Sequence, residues 1–216
     1  MKKILRTYDR LAGEYDRRWQ AYLGQTLDRA ITLINGGTEP RILEIACGTG
    51  EFIRRLLEKF PAATVAGVDG SSEMLAQASA KFSKNPRVSL HRATVRALPF
   101  QNASFDWAIS CNSLHCFPNA HGAIREMVRV LKPRGWTLIL DWCRDPLHCR
   151  VLNLWLRWFD TSHVKMYTRG ELSQMVEAHG MSVERMERFQ VAMGRGPKIW
   201  EMMACIACLK EERYTE

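Results

Sequence analysis

Short apolar runs alternate with amphipathic segments along most of this chain. Five of the runs carry the aliphatic and β-branched residues of buried strands and are separated by stretches of helical periodicity: residues 41–46, 64–69, 87–92, 105–110 and 136–142. Such alternation is typical of a parallel sheet with helices on both faces, because parallel strands are joined by long crossover connections. The pattern therefore predicts an α/β fold.

Two more apolar runs follow at residues 181–189 and 200–209, and the chain between them includes the short sequence GRGP. This connection is too short for a helical crossover, so we expect the last two strands to form an antiparallel hairpin. The sequence contains neither an internal repeat nor a recognisable linker. We therefore expect one domain over residues 1–216, built on a seven-stranded, mostly parallel sheet.

Several helices carry local signals of where they begin and end. Ser71 and Ser72 suit the N-cap of a helix that begins near Glu73. The sequence TRGE at residues 168–171 is a capping box for a helix that we expect to end at Gly180. A stripe with helical spacing predicts one or two amphipathic helices in the first 35 residues: Tyr8, Leu11, Tyr15 and Trp19.

Composition narrows the class of protein. The chain is 46% hydrophobic with a net charge of +8, and no stretch approaches the ~20 uninterrupted apolar residues that cross a bilayer. Its first residues become charged where a signal peptide would become apolar, and its seven cysteines are scattered through apolar surroundings that suit reduced thiols. We expect a cytoplasmic protein. Because Lys and Arg are dispersed along the chain, we interpret the net positive charge as a solubility feature. Binding of an acidic partner is the alternative.

The sequence ILEIACGTGEF, residues 42–52, reads as a buried strand that runs through a glycine turn into a helix. A dinucleotide fingerprint needs three glycines, but Ile53 stands at the third position after Gly48 and Gly50. A phosphate near the helix N-terminus would also meet Glu51. An NAD-linked oxidoreductase is thereby disfavoured.

A ligand with a cationic head attached to a nucleoside suits the same turn, because Glu44 attracts the cation while the glycines allow close approach of the backbone. S-adenosylmethionine is such a ligand. Asp69 ends the second strand nineteen residues beyond Gly50, where a carboxylate can accept hydrogen bonds from both ribose hydroxyls.

Five motifs in order resemble those of the class I S-adenosylmethionine-dependent methyltransferases, in particular the small single-domain group called methyltransferase type 11. They lie at residues 42–52, 65–75, 93–110, 114–119 and 125–142. The resemblance implies a Rossmann-like, doubly wound sheet and a methyltransferase that uses S-adenosylmethionine, releases S-adenosylhomocysteine and needs no metal.

The same resemblance implies a set of cofactor-binding positions. They are Glu44, Ala46, Gly48 and Gly50 for the methionine end, Asp69 for the ribose, and Gly70, Ser71 and Met74 for the adenine. Thr94 departs from the family pattern, which commonly has an aspartate there to accept from the adenine amino group. A hydroxyl still accepts one hydrogen bond and the backbone N–H of Val95 can serve the ring, so we expect weaker anchoring of adenine.

Ligands of such sheets collect at the carboxyl ends of the strands. His115, just after the fourth strand, is therefore the candidate general base, with a loop-ordering role as the alternative. Ser110 and Asn112 lie on the same edge, where they either position cofactor and substrate or cap the turn. Tyr8 and Tyr15 belong to an N-terminal segment, residues 1–35, that resembles a lid over the cofactor; a fixed packing helix is the alternative.

The segment at residues 147–167 is apolar on nearly every helical face and contains Trp155 and Trp158. Core packing is one explanation. The resemblance places the substrate cap here, which favours a small, partly apolar acceptor bound by these tryptophans, in a pocket that opens toward His115. The flanking Arg150, Arg157 and Lys165 also permit a phospholipid acceptor or peripheral contact with a membrane surface.

Nucleic-acid acceptors are disfavoured, because the fourth strand is followed by SCNS rather than an Asn/Asp-Pro-Pro-aromatic motif, and no proline precedes a cysteine. Cys205 and Cys208 have the spacing of metal ligands but lie in a predicted strand, where we interpret them as buried thiols. The sequence thus predicts methyl transfer to an O, N or C nucleophile of a small molecule by a monomer or homodimer. A phospholipid-directed enzyme and a non-catalytic S-adenosylmethionine-binding protein remain as alternatives.

Overall fold

The computed structural model describes residues 2–35, 37–194, 197 and 199–210. The seven strands in this part of the chain are β1 Arg41–Ile45, β2 Thr64–Asp69, β3 Val88–Arg92, β4 Phe105–Cys111, β5 Leu131–Trp142, β6 Met181–Val191 and β7 Trp200–Leu209. The helices there are α1 Lys2–Leu11, α2 Tyr15–Leu33, α3 Glu51–Lys59, α4 Ser72–Phe82, α5 Ala120–Val130, α6 Leu147–Phe159 and α7 Arg169–Glu177, with a 3-10 helix at Leu114–Cys116.

The strands form one sheet in the order β3-β2-β1-β4-β5-β7-β6. The first five run parallel, and β7 is antiparallel to both β5 and β6. The predicted α/β class, the mostly parallel sheet and the C-terminal antiparallel hairpin are confirmed. Of the GRGP connection between β6 and β7, Arg195 and Gly196 lie outside the described residues.

The order of the strands reverses at β1, which has β2 on one side and β4 on the other. In an open α/β sheet the loops that leave the carboxyl ends of two such strands diverge to opposite faces and leave a crevice between them. The fold therefore directs attention to the ends of β1 and β4.

Alternate residues of the parallel strands face two separate cores. Leu43 and Val68 pack with α5 and α7 on one side, whereas Ile42 and Val65 pack with α2 and α3 on the other. Helices thus cover both faces of the sheet, as the alternating sequence pattern predicts.

The predicted caps are present. The hydroxyl of Ser71 accepts a hydrogen bond from the backbone N–H of Met74 at 3.1 Å, at the start of α4. Thr168 and Glu171 form the capping box of α7. After α7 the chain turns at Gly180, whose φ of 81° lies in the left-handed region that favours glycine.

One strand boundary was predicted wrongly. The sequence pattern starts the fifth strand at residue 136, whereas β5 begins at Leu131, which pairs with Phe105. The pairing register then shifts before Trp136, because the chain bulges through Arg134, whose φ is 60°. The sequence LKPRG hides this early pairing, since its proline and glycine read as a turn.

Candidate active site

The turn after β1 has a backbone that side chains rarely adopt. Ala46, Gly48 and Gly50 all have positive φ angles, of 56°, 52° and 79°. A Cβ on Gly50 would lie 2.6 Å from the Phe82 ring, whereas a Cβ on Gly48 would meet no atom within 4 Å. Gly50 is therefore needed for packing, and Gly48 leaves open space in which a ligand can approach the backbone.

A cavity lies at the carboxyl ends of β1, β2 and β4, beneath α1 and the start of α2. Most of the residues that the sequence assigned to the site line it: Tyr8, Tyr15, Glu44, Ala46, Gly48, Asp69, Gly70, Met74, Thr94, Val95 and Asn112. Five of the other assigned residues do not: Gly50, Ser71, Ser110, Trp155 and Trp158. His115 also lies outside its lining.

Glu44 is the most unusual group in this cavity. Its side chain comes from β1, is 4% exposed, and its Oε2 atom has no hydrogen-bond partner. Burial, and secondarily the nearby carboxylate of Asp69, raises the pKa of Glu44 well above its ordinary value. A carboxylate in this position is costly unless a cation joins it.

Asp69 is held in place by the backbone of the loops around it. The N–H of Gly48 donates to Asp69 Oδ2 at 2.9 Å, and the N–H of Ser71 donates to Asp69 Oδ1 at 2.8 Å. Burial still raises the pKa of Asp69 above its ordinary value. Each carboxylate oxygen has two lone pairs, so both retain capacity to accept from ligand hydroxyls.

The N-terminal helix α1 roofs the cavity. Leu5 packs over Gly70 so closely that a Cβ at Gly70 would lie 2.7 Å from the leucine methyl. Asp9, on the same helix, accepts a hydrogen bond at Oδ1 from the hydroxyl of Ser71 at 2.5 Å. This contact ties the roof to the loop after β2. Ser71 therefore caps α4 and holds α1 instead of lining the cavity.

A second connection comes from the start of α2. The hydroxyl of Thr49, in the glycine turn, donates to Asp16 Oδ1 at 2.5 Å. Lys81 on α4 donates to the other oxygen, Asp16 Oδ2, at 2.6 Å. The N-terminal helices are thus tied by polar contacts to both loops that surround the cavity.

His115 is buried beside the cavity wall and is 5% exposed. Its Nδ1 lies 2.6 Å from Asp141 Oδ1, and its ring stacks on Trp142 with centroids 3.8 Å apart. Burial by itself lowers the pKa of His115, but the Asp141 carboxylate and the adjacent Cys116 outweigh it, and the pKa lies well above its ordinary value. A raised pKa favours the imidazolium form, which suits a charged partner of Asp141 better than a general base.

Between His115 and the cavity lies Cys116, which is part of the lining. Its Sγ is 3.2 Å from the hydroxyl of Tyr8, and its thiol also interacts with the imidazole. Burial is the main cause that raises the pKa of Tyr8 well above its ordinary value, so this hydroxyl stays neutral. Asp141, His115, Cys116 and Tyr8 thus form a continuous polar chain that reaches the cavity.

Asn112 and Ser110 are occupied by structural contacts. Asn112 Oδ1 accepts from the Tyr22 hydroxyl at 2.8 Å, and its Nδ2 donates to Thr26 Oγ1 at 3.0 Å. Ser110 Oγ lies 2.7 Å from Ser113 Oγ. Asn112 thus ties the end of β4 to α2, and Ser110 contacts the turn that follows the strand.

Trp155 and Trp158 are on the surface of α6, where they are 55% and 86% exposed. The expected pocket lined by residues 147–167 is therefore not found among the described residues. Core packing does not account for these tryptophans either. The helical pattern correctly predicted α6, but a side chain's direction depends on how the helix docks.

Sequence reasoning missed the apolar part of the lining: Ile4, Leu5, Leu23, Leu27, Phe52, Ala93, Cys47, Cys111, Cys116 and Phe117. Ile4 lies one helical turn before Tyr8, the first residue of the apolar stripe that the sequence predicts. The helical spacing could therefore have identified it. Cys116 and Phe117 lie inside the motif at residues 114–119 and were not singled out.

Within the described ranges, no group of three or more His, Cys, Asp or Glu side chains could hold a metal ion. Cys205 is buried in β7 and Cys208 is partly exposed. Also within those ranges, no helix combines the length and apolar character needed to cross a bilayer.

Comparison with known proteins shows a methyltransferase domain in the central part of the chain. Residues 42–135 match the family described as "Methyltransferase domain". The chain is 32% identical over 126 residues to the demethylmenaquinone methyltransferase of Chlorobaculum parvum, which covers 58% of this chain and 49% of that protein. It is 28% identical over 155 residues to the ubiquinone/menaquinone biosynthesis C-methyltransferase UbiE of Geotalea uraniireducens. That alignment covers 65% of this chain and 63% of that protein. This chain thus spans less than two-thirds of the length of either relative.

Solved structures share the fold. The YcgJ protein of Bacillus subtilis has a TM-score of 0.74 at 21% identity and covers 87% of this chain and 99% of its own. A methyltransferase from Thermotoga maritima described as dependent on S-adenosylmethionine has a TM-score of 0.75 at 19% identity, with coverage of 94% and 98%. Residues 42–135 thus match a methyltransferase domain, and the chain as a whole has the fold of these class I S-adenosylmethionine-dependent methyltransferases.

Proposed function

We propose that this protein transfers a methyl group from S-adenosylmethionine to an O, N or C nucleophile of a small, partly apolar molecule. The observation that carries the proposal is the unpartnered, buried Oε2 of Glu44 in the wall of the cavity. The ammonium group of the methionine end supplies the positive charge that this carboxylate lacks. A phosphorylated ligand would instead bring more negative charge toward Glu44 and Asp69.

The residues present fit the rest of the cofactor. Asp69 has free lone pairs for the ribose hydroxyls, and Gly48 leaves room beside the backbone. Met74 and Val95 offer apolar contact for adenine, with the hydroxyl of Thr94 as a neighbour. When bound, S-adenosylmethionine supplies a methyl group that its sulfonium already activates.

The protein's own task is then to orient the two reactants and exclude water. Leu5 and Tyr8 from α1, with Tyr15 from α2, lie over the cavity and serve as its lid. We infer that His115 acts by its charge: paired with Asp141 next to the Cys116 wall, the imidazolium favours negative charge where an acceptor hydroxyl ionises. It does so without accepting the proton itself.

An aromatic quinol is the acceptor class that we propose first. Leu23, Leu27 and Phe117 give the cavity an apolar wall that suits a flat ring. Both relatives described above are named for reactions of menaquinone or ubiquinone biosynthesis. We propose that the protein works in the cytoplasm; its seven cysteines are free thiols, as a reducing compartment requires.

Isothermal titration with S-adenosylmethionine, S-adenosylhomocysteine and NAD tests the cofactor. We expect both sulfur compounds to bind and the dinucleotide to give no heat of binding. Tight binding of NAD with no binding of either sulfur compound would contradict the proposal.

Methyl transfer is then measured by mass spectrometry with 1,4-naphthoquinol, catechol, a fatty acid and phosphatidylethanolamine vesicles. We expect a methylated quinol. Methylated phosphatidylethanolamine alone would favour the phospholipid-directed alternative, and cofactor binding without transfer to any acceptor would favour a non-catalytic binding protein.

A further inference from the structure

Helix α6 presents its apolar residues to the solvent. Six large side chains on it are more than half exposed: Leu147, Val151, Leu154, Trp155, Trp158 and Phe159. Leu147, Val151, Leu154 and Trp158 follow the i, i+4, i+7, i+11 spacing that makes one continuous stripe along a helix. Such a contiguous exposed apolar patch marks a surface that another body covers.

The opposite side of α6 is firmly attached to the protein. Cys149, Asn153 and Leu156 are buried there. Asn153 Oδ1 accepts from the backbone N–H of Met166 at 2.7 Å and lies 3.0 Å from His163 Nε2. Since these specific polar contacts fix the rotation of the helix, its apolar stripe faces outward as a built feature.

Positive charge surrounds this stripe. Arg150 and Arg157 lie on α6 itself and are exposed, and α6 contains no acidic residue. The turn after α6 meets α1 where Thr7 Oγ1 lies 3.3 Å from Thr161 Oγ1. Beside this contact, α1 contributes three further exposed cations, Lys3, Arg6 and Arg10.

We use the name α6 face for the six exposed apolar side chains of α6 together with the exposed cations of α6 and α1 described above. We propose that the α6 face docks the protein on an anionic lipid bilayer. Tryptophan, phenylalanine and leucine on one side of a helix, bordered by arginine and lysine, are the features of helices that lie in the membrane interface. Anionic headgroups attract the five cations, Lys3, Arg6, Arg10, Arg150 and Arg157, while the apolar side chains enter the boundary with the acyl chains.

A second copy of the chain fits the same face less well. In a two-fold dimer the same patch meets itself, so the arginines of one copy would face those of the other. A lipid surface brings the opposite charge instead. Its neutral acyl region also covers Trp158, which at 86% is the most exposed of the six apolar side chains.

The position of the α6 face gives it a role in the reaction, a step that rests on the proposed function. Helix α1 carries the basic residues Lys3 and Arg6 on its outside, while Ile4 and Tyr8 line the cavity. A protein docked through this face holds the roof of its cavity against the bilayer. An apolar acceptor dissolved in the lipid then reaches the cavity without crossing water.

Cosedimentation of the full chain with vesicles tests the proposal. We expect binding to phosphatidylcholine vesicles that contain about 30% phosphatidylglycerol, weak binding to phosphatidylcholine alone, and loss of binding as salt increases. Trp158→Glu should lower the vesicle partition coefficient about tenfold or more, because it removes the burial of a large apolar side chain. Arg150→Glu with Arg157→Glu should abolish the preference for anionic lipid.

Ile199→Glu provides the matched control, since Ile199 is 63% exposed and lies outside the α6 face. This variant should bind vesicles like the unaltered protein. Thermal melting of each variant and titration with S-adenosylhomocysteine show that fold and cofactor site are intact. A failure of the cofactor titration in the unaltered protein would count against the proposed function and not against lipid docking.

Two results would overturn the docking proposal. One is absence of binding to anionic vesicles at low salt. The other is a dimer in sedimentation velocity that Trp158→Glu dissociates, with vesicle binding unaffected by that change; the α6 face would then be the interface between two copies of this chain.

Discussion

Glu44 is a buried acid that is unfavourable for stability, and we propose that cofactor binding requires it. Its carboxyl is buried without a partner at Oε2, and its pKa is raised by burial. Between pH 4.5 and the raised pKa, the carboxyl of Glu44 is therefore protonated in the folded protein and ionised in the unfolded chain. Stability accordingly falls as the pH rises from that value toward the raised pKa of the folded state.

Replacing Glu44 with glutamine keeps the shape of the side chain and removes its charge. We expect Glu44→Gln to weaken binding of S-adenosylmethionine by about 30-fold or more, as for other buried charge pairs that lose one partner. The same change should raise the melting temperature of the ligand-free protein at pH 8, where the native carboxylate is least favourable. Calorimetric titration and melting curves from pH 5 to 8 measure both effects.

A cation that binds to a protonated Glu44 must displace the proton. Titrations in buffers of different ionisation enthalpy should therefore show proton release on cofactor binding, which Glu44→Gln abolishes. Equal proton release in the variant would assign the ionisation to another group and contradict our account of this carboxyl.

His115 gives a second prediction at the level of one side chain. Its raised pKa means that the ion pair with Asp141 stabilises the fold below about pH 6.5, and that this contribution is lost as the pH rises through the folded-state value. His115→Gln removes the positive charge. We expect the ionisation that limits kcat/KM at low pH to move up by about one pH unit, since a charge several ångströms away contributes about that much.

The pH profile separates this role from a merely structural one. If His115→Gln lowers activity equally at every pH, the imidazole only holds the loop in place. If activity is lost even where the acceptor is fully ionised, His115 takes part in the reaction in another way. Trp142→Phe is the control, because it preserves ring stacking and the ion pair.

At the level of elements, the strands and helices were predictable because their signals are local. The apolar runs placed β1, β2 and β4 within one residue of their observed bounds. Ser71 and Thr168 correctly predicted the N-caps of α4 and α7. These signals depend on periodicity and on short-range hydrogen bonds, which the sequence contains directly.

Parts of the site that depend on how elements dock were not predictable. The sequence placed Trp155 and Trp158 in the acceptor pocket, but the contacts of Asn153 turn the opposite side of α6 inward. Likewise Ser110 lies near the end of β4 as predicted, yet its hydroxyl lies 2.7 Å from that of Ser113. Rotation of a helix and direction of a side chain are set by long-range contacts that periodicity does not encode.

The contact between α2 and the glycine turn predicts how the lid behaves. Asp16 joins Thr49 of the turn to Lys81 of α4. Loss of these charge-assisted bonds by Asp16→Asn should free the roof and increase the dissociation rate of S-adenosylhomocysteine about tenfold. Stopped-flow displacement measures the rate.

Asp28→Asn is the matched control for this change. Asp28 is also on α2 and also forms an ion pair, with Arg55, but its side chain is 69% exposed and it does not line the cavity. The control should leave the dissociation rate unchanged. Equal rates for Asp16→Asn and the unaltered protein would mean that α1 and α2 are a fixed wall, the alternative reading of residues 1–35.

At the scale of the whole molecule, one sheet supports three neighbouring tasks. Its central switch point holds the cavity, the N-terminal helices cover that cavity, and α6 lies beside them with its apolar stripe exposed. The net charge of +8, dispersed in sequence, gathers in part on this same side through α1 and α6.

Three thiols, Cys47, Cys111 and Cys116, lie in the wall of the cavity. Burial raises the pKa of Cys47 and Cys111, so their alkylation is slow and needs alkaline conditions and long exposure to a small reagent. Under those conditions each modified peptide, quantified after digestion, reports whether a ligand shielded that part of the wall. Cys208, partly exposed on β7 and remote from the wall, provides an internal standard for reagent strength. The protein thereby carries its own sensors for screening methyl acceptors without knowing the product.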